Sequence, residues 1–149
     1  MLINLLLGTA TMALCLALQI TLLTQALLYY ARHQKAGGST SFLATLAVLN
    51  GVLLLLMFGN LAQVAAWALL FQFLGEFTDY GTAFYHSAVN FATLGYGDIV
   101  MSEQRRVLGP VQAMNGVLMV GVSTAAFMTT LRDAIKLGVS EMDPVQQPE

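Results

Sequence analysis

Two glycines alternate with larger residues between Thr93 and Asp98, where the chain reads Thr-Leu-Gly-Tyr-Gly-Asp. Gly95 and Gly97 can adopt backbone conformations that are closed to residues carrying a Cβ. Successive carbonyl groups can then point the same way, whereas in a β-strand they alternate. This stretch, the TLGYGD segment, therefore offers a row of oxygen atoms that could replace the water shell of a dehydrated cation.

The TLGYGD segment resembles the potassium-channel signature Thr-Val-Gly-Tyr-Gly-Asp, with Leu94 in the place of valine. The resemblance is to the potassium-channel pore-domain family, whose module is two helices and a pore loop. The resemblance implies that residues 93–97, including Gly97, form a selectivity filter. It also implies that potassium is the permeant ion and that the protein needs no cofactor. The K+ ligands would be the backbone carbonyls of Thr93, Leu94, Gly95 and Tyr96, together with the Thr93 hydroxyl.

One pore loop supplies only one wall of a cage of oxygen atoms. The sequence holds a single such loop and no internal repeat. Stacked carbonyl rings then require several copies around one axis, and the expected partners are three further copies of the chain in a cyclic homotetramer.

The composition indicates that this loop sits in a membrane protein. Of the 149 residues, 57% are hydrophobic and 9% are charged, against about 25% charged in an ordinary globular domain. Three uncharged runs, 1–31, 37–75 and 107–131, each exceed the roughly 20 residues that a helix needs to cross the hydrocarbon. We expect an all-α membrane protein with three transmembrane helices.

The segment from Thr82 to Ala92 is too short to cross a bilayer and leads directly into the filter, which predicts a re-entrant pore helix. The positive-inside rule assigns Arg32 and Lys35 to the cytoplasm of a multi-pass protein in the plasma membrane, or in the cell inner membrane of a bacterium. The predicted parts are an additional N-terminal helix 1–31, a pore module 42–131 and a cytoplasmic tail 132–149. Within the module we expect an outer helix 42–74, a pore helix 82–92, a filter 93–98 and an inner helix 107–131.

Two residues of the predicted pore helix are candidates for supporting the filter. A helix that runs antiparallel to the filter behind it brings Tyr85 and His86 towards Asp98 and the Tyr96 hydroxyl. The resemblance supports this arrangement, because aromatic residues at that place often form a cuff around the filter.

The predicted inner helix carries the candidates for the cavity and the gate. Asn115 and Met119 recur at helical spacing with other residues of one face, which could line the cavity. The Asn115 side chain could equally form a hydrogen bond to a neighbouring helix. The full set is Gln112, Asn115, Met119, Val122 and Ala126. Gly116 and Gly121 are competing hinge positions, and a helix glycine equally permits close packing.

Several alternatives remain open from the sequence. A channel that discriminates weakly between potassium and sodium could carry the same motif. A potassium-transporter subunit is disfavoured, because its related loops usually occur as four unlike repeats in one chain. A non-conducting helical scaffold would use the glycines only for a tight turn. No basic tract indicates a nucleic-acid partner, and no nucleophile, metal cluster or carboxylate pair converges in the spans, so an enzyme is not expected.

Overall fold

A computed structural model describes residues 1–35 and 42–142 of the chain. Four α-helices account for most of them: α1 Leu2–Lys35, α2 Phe42–Phe73, α3 Tyr80–Phe91 and α4 Leu108–Met142. Three of the four are long and apolar enough to cross a membrane, over Leu2–Arg32, Leu43–Phe73 and Leu108–Lys136. The fold is all-helical, with three long apolar helices and one short helix.

The three long helices pack side by side, with α1 parallel to α4 and antiparallel to α2. At one end, a Cβ on Gly8 of α1 would lie 3.0 Å from Val111, near the start of α4. At the other end, Tyr30 of α1 shares a buried cluster with Ala134 of α4 and Leu49 of α2. α1 therefore contacts α2 and α4 along its length.

A layer of buried polar side chains joins α1, α2 and α4 between these two ends. The Gln63 amide donates to Gln19 Oε1 at 2.7 Å, and the Gln19 amide donates to Ser123 Oγ at 2.7 Å. The Asn115 amide donates to Gln63 Oε1 at 3.3 Å. Apolar surface drives membrane helices together only weakly, so hydrogen bonds and close contacts between small residues hold them. We call Gln19, Gln63, Asn115 and Ser123 the polar layer.

The short helix α3 lies between α2 and α4 and begins at the end of the bundle where α2 ends. Its N-cap is Asp79, whose side chain accepts a hydrogen bond from the Thr82 amide at 2.8 Å. Its last residue, Phe91, packs with Val64 and Met119, which lie well inside the two flanking apolar spans. The C-terminal end of α3 therefore sits beside the middle of α2 and α4.

A second set of buried hydrogen bonds holds α3 in this position. Ser87 donates from Oγ to the Val64 carbonyl of α2 at 2.7 Å. Gln112 of α4 donates to both the Ser87 carbonyl and Oγ, at 3.1 and 2.5 Å. Ser87 thus links all three helices through a side chain small enough to leave them in contact.

The helix bounds differ from the sequence prediction at one or both ends of every helix, and α1 runs from Leu2 to Lys35 where 1–31 was predicted. The cap at Asp79 moves the start of α3 from Thr82 to Tyr80. Gly75, at φ +75°, ends α2 at Phe73, because the amides of Gly75 and Glu76 bond back to Gln72 and Phe71. α4 continues past Leu131 to Met142, since charged residues end an apolar run without ending a helix. Residues 36–41, between the first two predicted helices, and residues 143–149 of the predicted tail lie outside the described residues.

Gly116 provides a test of the contact between α3 and α4. A Cβ on this glycine would overlap the carbonyl of Phe91, so we expect Gly116→Ala to force the helices apart and lower stability by about 1–3 kcal/mol. Thermal unfolding in detergent, followed by circular dichroism, measures the loss. Gly121→Ala is the matched control, because nothing lies within 4 Å of its would-be Cβ. Equal stability of the two variants would contradict the packing role of Gly116.

Candidate functional site

Left-handed backbone conformations recur at every second residue of the TLGYGD segment. The φ angles are +59° at Thr93, +56° at Gly95 and +75° at Gly97. Glycine adopts this region freely, whereas a β-branched residue such as Thr93 does so only under constraint. Thr93 is the one non-glycine residue with positive φ in the described part of the chain. The alternation agrees with the expected conformations of Gly95 and Gly97, and the strain at Thr93 marks a candidate functional site.

The residues of the segment are exposed, and their carbonyl oxygens accept no hydrogen bond from the described residues. The amides of Thr93 and Leu94 bond to the Asn90 and Val89 carbonyls, which fastens the start of the segment to α3. Within 1–35 and 42–142, no hydrogen bond reaches the carbonyls of residues 93–96 or the Thr93 hydroxyl. Leu94 and Tyr96 are 55% and 66% exposed in the single chain. Its first two amides thus attach the segment to α3, while its carbonyl oxygens can still accept hydrogen bonds or bind a cation.

A hydrogen bond joins Tyr85 of α3 to Asp98 at the end of the TLGYGD segment. The Tyr85 hydroxyl donates to Asp98 Oδ2 at 2.7 Å, and the Ile99 amide donates to Oδ1 at 3.0 Å. The bond from Tyr85 lowers the pKa of Asp98 and raises that of Tyr85. The contact expected between these two residues is therefore present.

His86 lies behind the loop but bonds to other partners than Asp98 or the Tyr96 hydroxyl. Its Nδ1 lies 3.0 Å from the Ile99 carbonyl and its Nε2 lies 2.9 Å from the Asn90 amide nitrogen. A carbonyl only accepts, so Nδ1 donates and Nε2 accepts from Asn90. The ring is 6% exposed against Phe71 and Phe77. Burial lowers the pKa of His86, which favours the neutral form.

A set of contacts joins the α2–α3 connection to the connection between the TLGYGD segment and α4, and the sequence did not predict it. Glu76 accepts from the Ser102 amide at 2.8 Å and from its hydroxyl at 2.7 Å, and forms an ion pair with Arg105 at 3.2 Å. Arg105 also donates to the Leu74 carbonyl. Burial favours the protonated acid, yet the bonds from Ser102 and Arg105 hold the pKa of Glu76 below its ordinary value. The one sequence signal for this contact was that charged residues such as Glu76 and Arg105 are rare in so apolar a chain.

The α4 face predicted to line a cavity is buried within the chain. Asn115 and Met119 are 0% and 1% exposed, Asn115 in the polar layer and Met119 against Phe91. Helical spacing identified which residues share a face but not what that face contacts. Polar residues of membrane helices commonly bond to neighbouring helices, and those of α4 do so here.

A different face of α4 adjoins the TLGYGD segment. Met114, Val117 and Leu118 are exposed, and with Ala113 and Thr93 they line a cavity of about 410 Å³. Gly121 is also exposed, further along the helix. The surface next to Thr93 is therefore apolar.

Residues 60–133 match the family model described as Ion channel. The match covers just under half of the chain and takes in the second half of α2, all of α3, the TLGYGD segment and α4 as far as Asp133. No curated protein and no solved structure matched the chain. The family match and the three apolar helices support an ion-channel pore module in a multi-pass membrane protein, and they point to ion transport.

We expect Tyr85→Phe to raise the pKa of Asp98 towards its ordinary value, because the variant removes a bond to the charged carboxylate. Carbon NMR of aspartate-labelled protein across a pH series measures the shift. Tyr80→Phe is the control, since Tyr80 lies on the same helix and its ring packs on Phe84. An unchanged Asp98 titration in Tyr85→Phe would contradict this account of the bond.

The environment of His86 predicts a loss of stability in acid. Its folded-state pKa lies below the ordinary value of about 6.5, so the unfolded chain takes up a proton first as the pH falls. Stability held above about pH 6.5 is then lost as the pH falls towards the folded-state pKa. Thermal unfolding at a series of pH values should show a weaker acid dependence in His86→Gln than in wild type. His33→Gln is the control and should keep it; equal acid dependence in all three proteins would contradict the prediction.

Proposed function

We propose that this protein is a potassium-selective channel in which four copies of the chain surround one conduction axis. Potassium ions move through it passively, down their electrochemical gradient. The TLGYGD segments of the four copies form the selectivity filter, with rings of carbonyl oxygens from Thr93, Leu94, Gly95 and Tyr96.

The observation that carries the proposal is the alternation of positive φ angles at residues 93, 95 and 97, in a segment whose carbonyls have no donor among the described residues. A dehydrated potassium ion must be surrounded by oxygen atoms, and one chain offers a single row. Four rows around an axis complete the shell. They would also cover Leu94 and Tyr96, whose exposure is costly for a single chain.

The position of α3 supports a re-entrant pore helix. Phe91, at its C-terminal end, contacts residues in the middle of both flanking spans, while Ser102 beyond the filter bonds back to Glu76 at the end of the bundle. Irregular backbone at membrane depth is tolerated where it lines a water-filled path. The partly negative C-terminal end of α3 favours a cation in the cavity below the filter.

The inner end of the pore is assigned to α4. Gly121 is the hinge candidate. Close packing against Phe91 accounts for the glycine at position 116, whereas nothing lies within 4 Å of a Cβ at Gly121. The basic residues Arg32 and Lys35 support a cytoplasmic location for the connection between the first two helices. This topology fits the plasma membrane, or the inner membrane of a bacterial cell.

Cation flux into liposomes that hold the purified protein tests the proposal. We expect potassium uptake to exceed sodium uptake, and Gly95→Ala to reduce potassium uptake to the level of empty liposomes. A side chain at φ +56° costs about 1–2 kcal/mol and turns the carbonyls away from the axis. Gly75→Ala is the matched control, because Gly75 also has positive φ and free space but lies between α2 and α3.

Three results would count against the proposal. Equal loss of flux in both glycine variants would mean that stability, and not carbonyl geometry, limits conduction. Equal potassium and sodium uptake by wild type would indicate a weakly selective cation channel. Absence of uptake at acid, neutral and alkaline pH and at both signs of membrane potential would favour the non-conducting scaffold.

A further inference from the structure

One face of α1 lies against the connection between the TLGYGD segment and α4, which we call the 99–107 connection. The Asn4 side-chain amide donates to the Gln104 carbonyl of this connection at 2.5 Å. About two helical turns further along α1, Met12 packs on the same buried cluster as Met101. Residues eight apart lie on one face of a helix, so Asn4 and Met12 approach the connection together. α1 therefore contacts the connection at one polar and one apolar point.

Hydrogen bonds from α3 and from the α2–α3 connection hold the start and the middle of the 99–107 connection. The His86 ring donates to the Ile99 carbonyl, and Glu76 accepts from the amide and the hydroxyl of Ser102. Each of these residues lies within the family match, whereas Asn4 belongs to a helix outside it. The bond from Asn4 thus ties α1 to the chain that leaves the TLGYGD segment.

A shift of the 99–107 connection is passed on to the TLGYGD segment. Only the five residues 99–103 separate Asp98 from Gln104, and fixed bond lengths and angles limit the reach of so short a piece of chain. Thr93 has a φ angle of +59°, and a strained backbone conformation persists only where surrounding contacts enforce it. Removing a contact beyond the end of the segment therefore allows its backbone to relax, so that its carbonyls no longer form one row.

We propose that Asn4 is a positioning residue of the selectivity filter. By holding the Gln104 carbonyl, Asn4 fixes the end of the TLGYGD segment and keeps the carbonyls of residues 93–96 in one row. A cage of oxygen atoms selects an ion only while the number and arrangement of its ligands are maintained. Asn4 touches no ion and acts through the 99–107 connection. This inference rests on the channel function proposed above, and it gives α1 a part in ion selectivity.

Hydrogen–deuterium exchange of the full chain in lipid nanodiscs, read by mass spectrometry, tests the positioning role without requiring ion conduction. Asn4→Leu replaces the amide by an apolar side chain of similar size, so we expect the backbone amides of residues 93–104 to exchange faster than in wild type. Asn50→Leu is the matched control, because the Asn50 amide donates to the Leu46 carbonyl of its own helix. This control should leave exchange in residues 93–104 unchanged.

Potassium and sodium uptake into liposomes measures the consequence for selectivity. We expect Asn4→Leu and Asn4→Ala to lower the ratio of potassium to sodium uptake by roughly fivefold, the shift that one ordinary hydrogen bond supports. Asn50→Leu should keep the wild-type ratio. A loss of folded protein alone would reduce the uptake of both ions together and leave the ratio unchanged.

The proposal is overturned if exchange in residues 93–104 is the same in Asn4→Leu as in wild type, or if either Asn4 variant keeps the wild-type ratio. An effect of Asn4→Leu that Asn4→Ala does not share would be due to the leucine side chain, which would also overturn it. If wild type takes up neither ion, or both equally, the channel function proposed above fails, and the exchange measurement then decides whether Asn4 positions the segment.

Discussion

The carbonyl oxygens between Thr93 and Tyr96 impose the constraint on which the rest of the structure depends. They accept no hydrogen bond from the described residues, and a polar group that is buried without a partner is costly. The segment keeps its strained backbone only because neighbouring contacts hold it: its first amides bond to α3, and Asp98 bonds to Tyr85. Beyond the segment, His86 holds the Ile99 carbonyl and Glu76 holds Ser102. In the function proposed above, a cation takes the place of the missing donors.

Further hydrogen bonds connect α3 to the long helices and connect these to α1, which lies outside the family match. Ser87 and Gln112 fix α3 between α2 and α4, while Gln19 of α1 bonds to both Gln63 and Ser123. Interhelical hydrogen bonds in membranes contribute about 0.6 kcal/mol each on average, so such a layer gains its effect from several bonds acting together. α1 is therefore a structural part of the bundle.

The sequence predicted most of this framework, because its strongest signals are local. Apolar runs located the long helices, and the glycines at 95 and 97 predicted two of the three left-handed residues. Thr93 was not predicted to be left-handed, since its own preference opposes that conformation and only surrounding contacts enforce it. The sequence left the surroundings of Asn115 open, because periodicity defines a face, whereas burial depends on which helices surround it. The pairing of Glu76 with Ser102 joins residues far apart in sequence, and no local pattern encodes it.

The most direct test of the central claim is electron cryomicroscopy of the protein in lipid nanodiscs with potassium in the buffer. The account predicts four copies around one axis, with the carbonyls of residues 93–96 facing axial densities that weaken when sodium replaces potassium. A monomer or dimer, or a four-fold assembly whose TLGYGD segments face away from the axis, would contradict it. Because the images report the assembly and the segment together, this result does not depend on whether the gate is open.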